Sequence, residues 1–459
     1  MAEKRKSLTL NWGKAGSLNE EQNAALTKFT NELHAKRIEK LKYDAESTEN
    51  FSLRFLRARK FDVEKSIKLI EECEEILKKY EADSCAAMGA EACADCDPDV
   101  LTTFYPHSQG GIDKQGRLLM WEANGAVSLA ALQAAVRPDN LIKYHFWTMQ
   151  NKLNDFFNNS DDYPQGSGNK VVATTAVLDF DGLNMSHFSQ RMFTHLKTLI
   201  GIDNVCYPEM LGKMIVVNAP RLATTGWGMI KGWLDPRTQE KIEIHGREAS
   251  KARLLELIDE GQLPVSLGGT GPEVFSAKPC TSYVAVPRGN GKIERGVILQ
   301  AGHSLIIDTY VKDDCVSVEA ESYLVNNNTQ YDTDDIKATF PEKEGDADSI
   351  TVIKKTNLKA IKSETTRQKQ TIEASDTCRF IKITYTNSAS WYQRWIVYSF
   401  TVMTPSGEAL YKVNGSMKKG PLKLSDITTD SVNAEADVVD VNTDVDAVDP
   451  LVAQASSTL

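Results

Sequence analysis

The chain has 459 residues, 41% of them hydrophobic, which is more than one ordinary core needs, so two or three domains are expected. The formal charge of −10 is concentrated in Ser425–Pro450, where Asp426, Asp430, Glu435, Asp437, Asp440, Asp444, Asp446 and Asp449 stand without a base; the remainder is near −2, which excludes the basic balance of a nucleic-acid binder. The absence of an apolar run of about 18 residues, of a signal-peptide core and of a glycine at position 2 argues against spanning, secretion and myristoylation, and eight scattered cysteines suit a reducing compartment.

Residues 1–18 read as a flexible, basic N-terminus. Asn19-Glu20-Glu21-Gln22 has the form of a capping box, followed by Leu26, Phe29, Leu33 and Leu41 at near-helical spacing. A shorter helix over Asn50–Lys60 and a third, capped by Asp62 with Val63, Ile67, Ile70 and Leu77 on one stripe, complete a helical unit assigned to residues 19–85. Its bases Arg54, Arg57, Arg59 and Lys60 would ordinarily form a solvated face. Residues 81–100 read as a linker, and Cys93-x-x-Cys96 within it lacks a second pair at zinc-site spacing. The sequons at Asn158, Asn184, Asn327 and Asn414 carry no weight without secretion.

Strand and helix patterns alternate over residues 100–273. Gly110–Arg117 is turn chemistry leading into a strand at Leu118–Trp121, and Pro138 and Asp139 open a helix carrying Leu141, Ile142, His145, Phe146, Met149, Leu153, Phe156 and Phe157. Val171–Asp179 reads as a strand, Ser186 as the cap of a helix bearing Phe188 through Ile200, and Met214–Val217 as a strand apolar on both faces. The alternation predicts an α/β domain with a mainly parallel sheet. Beyond Pro220, Leu222–Leu234 carries Trp227, Met229, Ile230, Trp233 and Leu234 but also Gly226, Gly228 and Gly232. Each glycine costs a helix about 1 kcal/mol relative to alanine, so this apolar helix reads as a movable lid over an apolar cavity. A buried core helix is the plainer alternative.

After Pro272 short β-rich runs appear, separated by Gly, Asn and Asp turns, and predict a β-sandwich over residues 276–415. Residues 326–349 read as a long acidic loop, and residues 417–459 as a disordered acidic tail.

Four separated stretches carry a family resemblance: Phe55-Leu56-Arg57-Ala58-Arg59-Lys60-Phe61-Asp62, Gly111-x-Asp113-Lys114-x-Gly116-Arg117, Tyr207-Pro208-Glu209-x-x-Gly212-Lys213 with Asn218-Ala219-Pro220, and Leu234-Asp235-Pro236-x-Thr238-x-x-Lys241-Ile242. Their order and spacing resemble a CRAL-TRIO lipid-transfer protein of the fungal phosphatidylinositol/phosphatidylcholine type. The β-rich segment, through Phe380–Trp391 and Tyr398-Ser399-Phe400, resembles a GOLD domain, a pairing similar to that of supernatant protein factor and the patellins.

The resemblance implies one phospholipid as ligand, phosphatidylinositol above others, no other cofactor, a transient membrane contact, and a protein contact through the GOLD-like domain. It implies a cytoplasmic chain peripheral to Golgi, endosomal or plasma membranes. Carrying two acyl chains through water exposes about thirty methylenes at about 0.8 kcal/mol each, so such a carrier needs an apolar cavity and a gate. The gate falls on Trp227, Met229, Ile230, Trp233 and Leu234, and the headgroup positions on Arg59, Lys60, Glu209, Thr238 and Lys241. A strand hydroxyl for choline phosphate falls on Thr174, whereas Ala176 lacks the second hydroxyl of the fungal pattern. A carrier of tocopherol, a retinoid or squalene, and a lipid-regulated adaptor, are the alternatives. An enzyme is not expected, since no Gly-x-Ser-x-Gly, His-Glu-x-x-His or Walker motif occurs.

Overall fold

The computed structural model describes residues 12–33, 42–44, 46–159, 173–277, 281–311, 316–324, 350–358, 366–373, 379–413, 416–419 and 422–423. The loop at 326–349 and residues 424–459 of the expected tail lie outside them, whereas residues 417–419 and 422–423, expected to be disordered, are in strands. Helix α1 (Glu20–Leu33) starts at the capping box: the Asn19 and Gln22 side chains each accept from the other's backbone N–H, at 2.8 and 3.1 Å. Helices α2 (Thr48–Ala58) and α3 (Val63–Lys79) are capped by Ser47 and Asp62. Phe29, Phe51, Phe55, Leu69 and Ile70 from these helices share one core with Ile142, Phe146, Met149 and Ile202, so the N-terminal helices do not stand apart from the domain that follows.

The stretch expected as a linker is instead helical, as α4 (Ala82–Met88), α5 (Ala90–Ala94) and α6 (Pro98–Phe104). Alanine is the best helix former, and the small Ala and Cys side chains let these short helices pack closely. Cys85, Cys93 and Cys96 are buried; the Cys93 thiol donates to the Cys85 carbonyl at 3.4 Å, and burial pushes it up to about 12.

Strands β1 (His107–Ile112) and β2 (Leu118–Glu122) form a hairpin. Helices α7 (Leu129–Ala135) and α8 (Pro138–Trp147) follow, and α8 runs through a π-helical turn at Thr148–Lys152 into α9 (Leu153–Asn159). Next come β3 (Thr174–Asp179), α10 (Gln190–Cys206), β4 (Leu211–Val217), α11 (Leu222–Ile230), α12 (Pro236–Glu240), β5 (Ile242–Ile244) and α13 (Arg247–Leu257). The cap of α10 is Ser189, not Ser186, which lies in a 3-10 turn capped by Asn184. The sheet has the order β1-β2-β3-β4-β5, with β2 to β5 parallel. One face, through Leu119, Trp121, Val177, Ile215 and Val217, packs on Leu254 and Ile258 of α13 and the segment after it.

The C-terminal region is an antiparallel sandwich. After β6 (Ser276–Ala277) come β7 (Thr281–Val286), β8 (Gly291–Leu299), β9 (Ser304–Val311), β10 (Val316–Leu324), β11 (Ile350–Leu358), β12 (Thr366–Ile372), β13 (Arg379–Asn387), β14 (Arg394–Met403), β15 (Ala409–Val413), β16 (Ser416–Lys419) and β17 (Leu422–Lys423). One sheet runs β11-β10-β13-β8; the other runs β12-β9-β14-β15-β16, with β7 also on β14. Val284, Ile307, Val318, Ile383, Tyr385 and Ile396 fill the space between them.

Candidate functional site

The second face of the parallel sheet is uncovered by comparison. Its rungs are Met120–Ala176–Met214–Ile242 and Glu122–Leu178–Val216–Ile244, set by the strand registers. Met120, Leu178, Met214, Ile242 and Ile244 are only half-buried, as are Phe193, Leu196, Leu199 and Ile200 of α10. Helix α11 does not seal this face. It buries Ala223 alone and continues through Lys231–Trp233 as a 3-10 turn, leaving Met229 51% exposed and Trp227, Ile230, Trp233 and Leu234 half-buried. Phe188, Phe193 and Trp233 meet edge to face at its side. A shallow cleft of about 580 Å³, open to solvent, is lined by Trp227, Pro236, Gln239, Glu240, Ile242 and Ile244.

Charge gathers at the amino-terminal ends of the parallel strands. Arg117 precedes β2, Thr174 opens β3, Glu209 precedes β4 and Lys241 precedes β5. The Lys241 ammonium donates to Glu209 at 3.3 Å, both side chains half-buried, and Glu209 sits in the left-handed region at φ 60°. Arg117 is held by Asp113 at 2.7 Å, and Asp113 also accepts from the Thr175 hydroxyl at 2.6 Å. Gly212 is required here, because a Cβ would lie 2.6 Å from the Arg117 side chain and 3.1 Å from the Thr174 carbonyl.

Residues 12–18, expected within a flexible terminus, are docked against this cluster. The Arg57 guanidinium donates to the Gly13 carbonyl at 3.2 Å, and Arg237 donates to the Arg57 carbonyl at 3.3 Å while its guanidinium lies 4.3 Å over the Trp12 ring. Only glycine fits at 13, where φ is 68° and a Cβ would meet the Phe61 ring at 2.6 Å. Burial, then the neighbouring Arg57, Arg117 and Lys241 charges, hold the Lys14 ammonium below its usual value, with Glu209 opposing. Arg57 is lowered by burial too, again against Glu209. Positive charge thus outweighs the single carboxylate of Glu209 at this end of the sheet.

Of the five headgroup positions, the structure brings Glu209 and Lys241 together. Thr238 lies one turn before Lys241, but its hydroxyl is engaged by Asp235 at 2.5 Å, the cap of α12. Arg59 and Lys60 lie on a different element, at the end of α2: Lys60 is exposed, and the Arg59 guanidinium donates to the Ala58 carbonyl at 3.2 Å. The expected solvated face is not uniform. Arg54 is 2% exposed and donates twice to Glu46, at 2.7 and 2.8 Å. Lys14, Arg117 and Arg237 were not singled out in the sequence as site residues; the Asp113-to-Arg117 motif was the one available signal. Thr174 is buried, with its hydroxyl 3.4 Å from the Met210 carbonyl, and Ala176 shares its face.

The CRAL/TRIO domain model matches residues 105–269, and the model of the CRAL/TRIO N-terminal domain matches residues 24–72. The SEC14 cytosolic factor of Kluyveromyces lactis is 30% identical over 257 residues, covering 56% of this chain and 81% of that protein. The SEC14 cytosolic factor of Candida glabrata is 29% identical over 257 residues, with 56% and 80% covered. The phosphatidylinositol/phosphatidylcholine transfer protein SFH12 of Arabidopsis thaliana is 31% identical over 218 residues, 48% of this chain and 39% of that longer protein. Matched in both its N-terminal helices and its sheet domain, the chain belongs to the CRAL/TRIO family.

Proposed function

We propose that the chain binds one phospholipid, phosphatidylinositol above others, and transfers or presents it between membranes. Its acyl chains lie along the half-covered apolar rungs of β2 to β5, and α11 with the Lys231–Trp233 turn is the gate. The headgroup lies at the amino ends of the strands, near Lys241 and Glu209, with Thr238, Arg59 and Lys60 as the remaining positions that the family resemblance assigns to it. The observation that carries this reading is the juxtaposition of an apolar sheet face left open on one side with the half-buried bases Arg57, Arg117 and Lys241 gathered at one end of the same strands. A buried phosphate needs such partners, since an unpaired anion in an apolar site is far costlier than one packing contact is favourable. The activity for which the Arabidopsis relative is named and the family membership support it.

Among the described residues no helix is long and apolar enough to cross a membrane. We assign the chain a peripheral, cytoplasmic role as a carrier without catalysis, with the sandwich, GOLD-like in sequence, as its second contact surface.

Lys60→Ala with Lys241→Ala is expected to lower phosphatidylinositol transfer between vesicles by at least about tenfold, with the thermal melting point within a few degrees of the parent. Undiminished transfer in a folded double variant would remove these bases from headgroup binding.

A further inference from the structure

At one end of the sandwich the loop between β13 and β14 presents large aromatic rings to solvent. Trp391 is 81% exposed and Tyr392 52%, and beside them Trp395, at the start of β14, is 43% exposed, although rings of this size are ordinarily among the most buried surfaces of a protein. The loop is not loosely held. Asn387, fully buried, accepts from the Ala389 N–H at 2.9 Å and donates to the Val286 and Tyr392 carbonyls, both at 3.1 Å. The β7–β8 turn joins it: Gly289 N–H donates to the Ala389 carbonyl at 2.7 Å, Asn290 N–H to the Asn387 carbonyl at 2.9 Å, and the Arg288 guanidinium to the Trp391 carbonyl at 3.2 Å. Arg394 lies 4.1 Å over the Tyr392 ring and donates to its hydroxyl at 3.0 Å. A backbone this tightly fixed holds the Trp391 ring outward.

Arg288 of the β7–β8 turn, Lys292 at the start of β8 and Arg394 at the start of β14 gather at this end, while the nearest acid along β8, Glu294, is paired with Lys382. Indole and phenol rings beside guanidinium and ammonium groups match the chemistry of a bilayer interface, where amphipathic rings sit at headgroup depth and bases meet anionic lipid.

We propose that this tip, Trp391 and Tyr392 flanked by Arg288, Lys292 and Arg394, is a docking surface for an anionic membrane, separate from the gate of the lipid cavity. It places a second contact on the sandwich, so that the chain meets a bilayer through both of its halves. Trp395 stacks on Tyr283 with ring centroids 4.6 Å apart and forms the base of the tip.

The test uses the full chain and vesicles of phosphatidylcholine alone or mixed with phosphatidylserine, read by co-sedimentation and by quenching of tryptophan fluorescence with brominated lipid. The parent is expected to prefer the mixed vesicles. Trp391→Ala with Tyr392→Ala should weaken that binding about tenfold and lose part of the quenching, and Arg288→Gln with Lys292→Gln should weaken it about fivefold per base. Neither pair lies in the lipid cavity, so lipid bound on purification should be unchanged. Equal vesicle binding by the parent and both variants would overturn the proposal, and so would a tip whose loss affects only a protein contact. Vesicle binding that depends on Trp391 in a chain without lipid would leave this surface standing and sink the carrier function instead.

Discussion

Thr174 and Ala176 lie two apart on β3 and therefore on one face, the face of Met120 and Met214, while Thr175 turns to Asp113 on the other side. The hydroxyl missing at 176 thus cannot be supplied by its neighbour. One absent hydrogen bond to a charged phosphate costs about 1.5–3 kcal/mol, so phosphatidylcholine is expected to bind roughly ten- to a hundredfold more weakly than a site with both hydroxyls would hold it. Ala176→Ser should strengthen phosphatidylcholine binding in a vesicle competition assay; tight binding by the parent, indifferent to Ala176→Ser and to Thr174→Ala, would show that this strand does not hold the choline phosphate. This residue pair was legible in the sequence because strand alternation is a local rule. Arg54 and Arg57 were not. Whether a base in a run is solvated depends on partners remote from it, here Glu46 beside one guanidinium and the Gly13 carbonyl on the other, and only the folded chain assembles them.

Helix α11 lacks most of what normally holds a helix in place, for it has no side-chain cap and buries one residue. The three glycines that suggested mobility differ in their surroundings. A Cβ at Gly226 would meet the Phe188 ring at 3.0 Å, whereas Gly228 faces open space, and neither has positive φ. Gly228→Ala is therefore the clean substitution, expected to stiffen the helix by about 0.5–1 kcal/mol and to slow amide exchange over Leu222–Ile230 several-fold, with slower lipid release. Exchange as slow in the parent α11 as in β3, unaltered by vesicles, would leave a rigid core helix. Helix α11 was legible because apolarity and glycine content can be read locally. The short helices α4 to α6 did not, since their apolar residues are small alanines and cysteines without a wide stripe, nor did β12, whose Thr-Arg-Gln-Lys-Gln-Thr-Ile sequence suits a polar strand at the edge of its sheet.

The two halves of the molecule share an interface that no sequence period announces. Tyr310 and Val397 of the sandwich lie in one cluster with Ala94, Val100, Leu101, Ala131 and Leu132 of α5 to α7. Arg367 ties both sides, reaching Asp308 within the sandwich at 2.5 Å and Glu91 across the interface at 2.7 Å, while the Asp97 N–H donates to the Tyr310 hydroxyl at 3.0 Å. Removing Arg367 leaves the buried Asp308 carboxylate without its cation, a loss of about 3–5 kcal/mol in comparable buried pairs. Arg367→Ala should accordingly lower the melting temperature and raise protease cleavage between the halves, and a melt unchanged by that substitution would show that the Arg367 ion pairs do not hold the sandwich in place. Phospholipid carriage depends instead on the other open surface, the apolar rungs beneath α11. Mass spectrometry of lipid extracted from the purified full chain tests it most directly: the account predicts one phospholipid per chain, with phosphatidylinositol taken up from vesicles in preference to phosphatidylcholine, and a chain that carries no lipid and takes none up would contradict it.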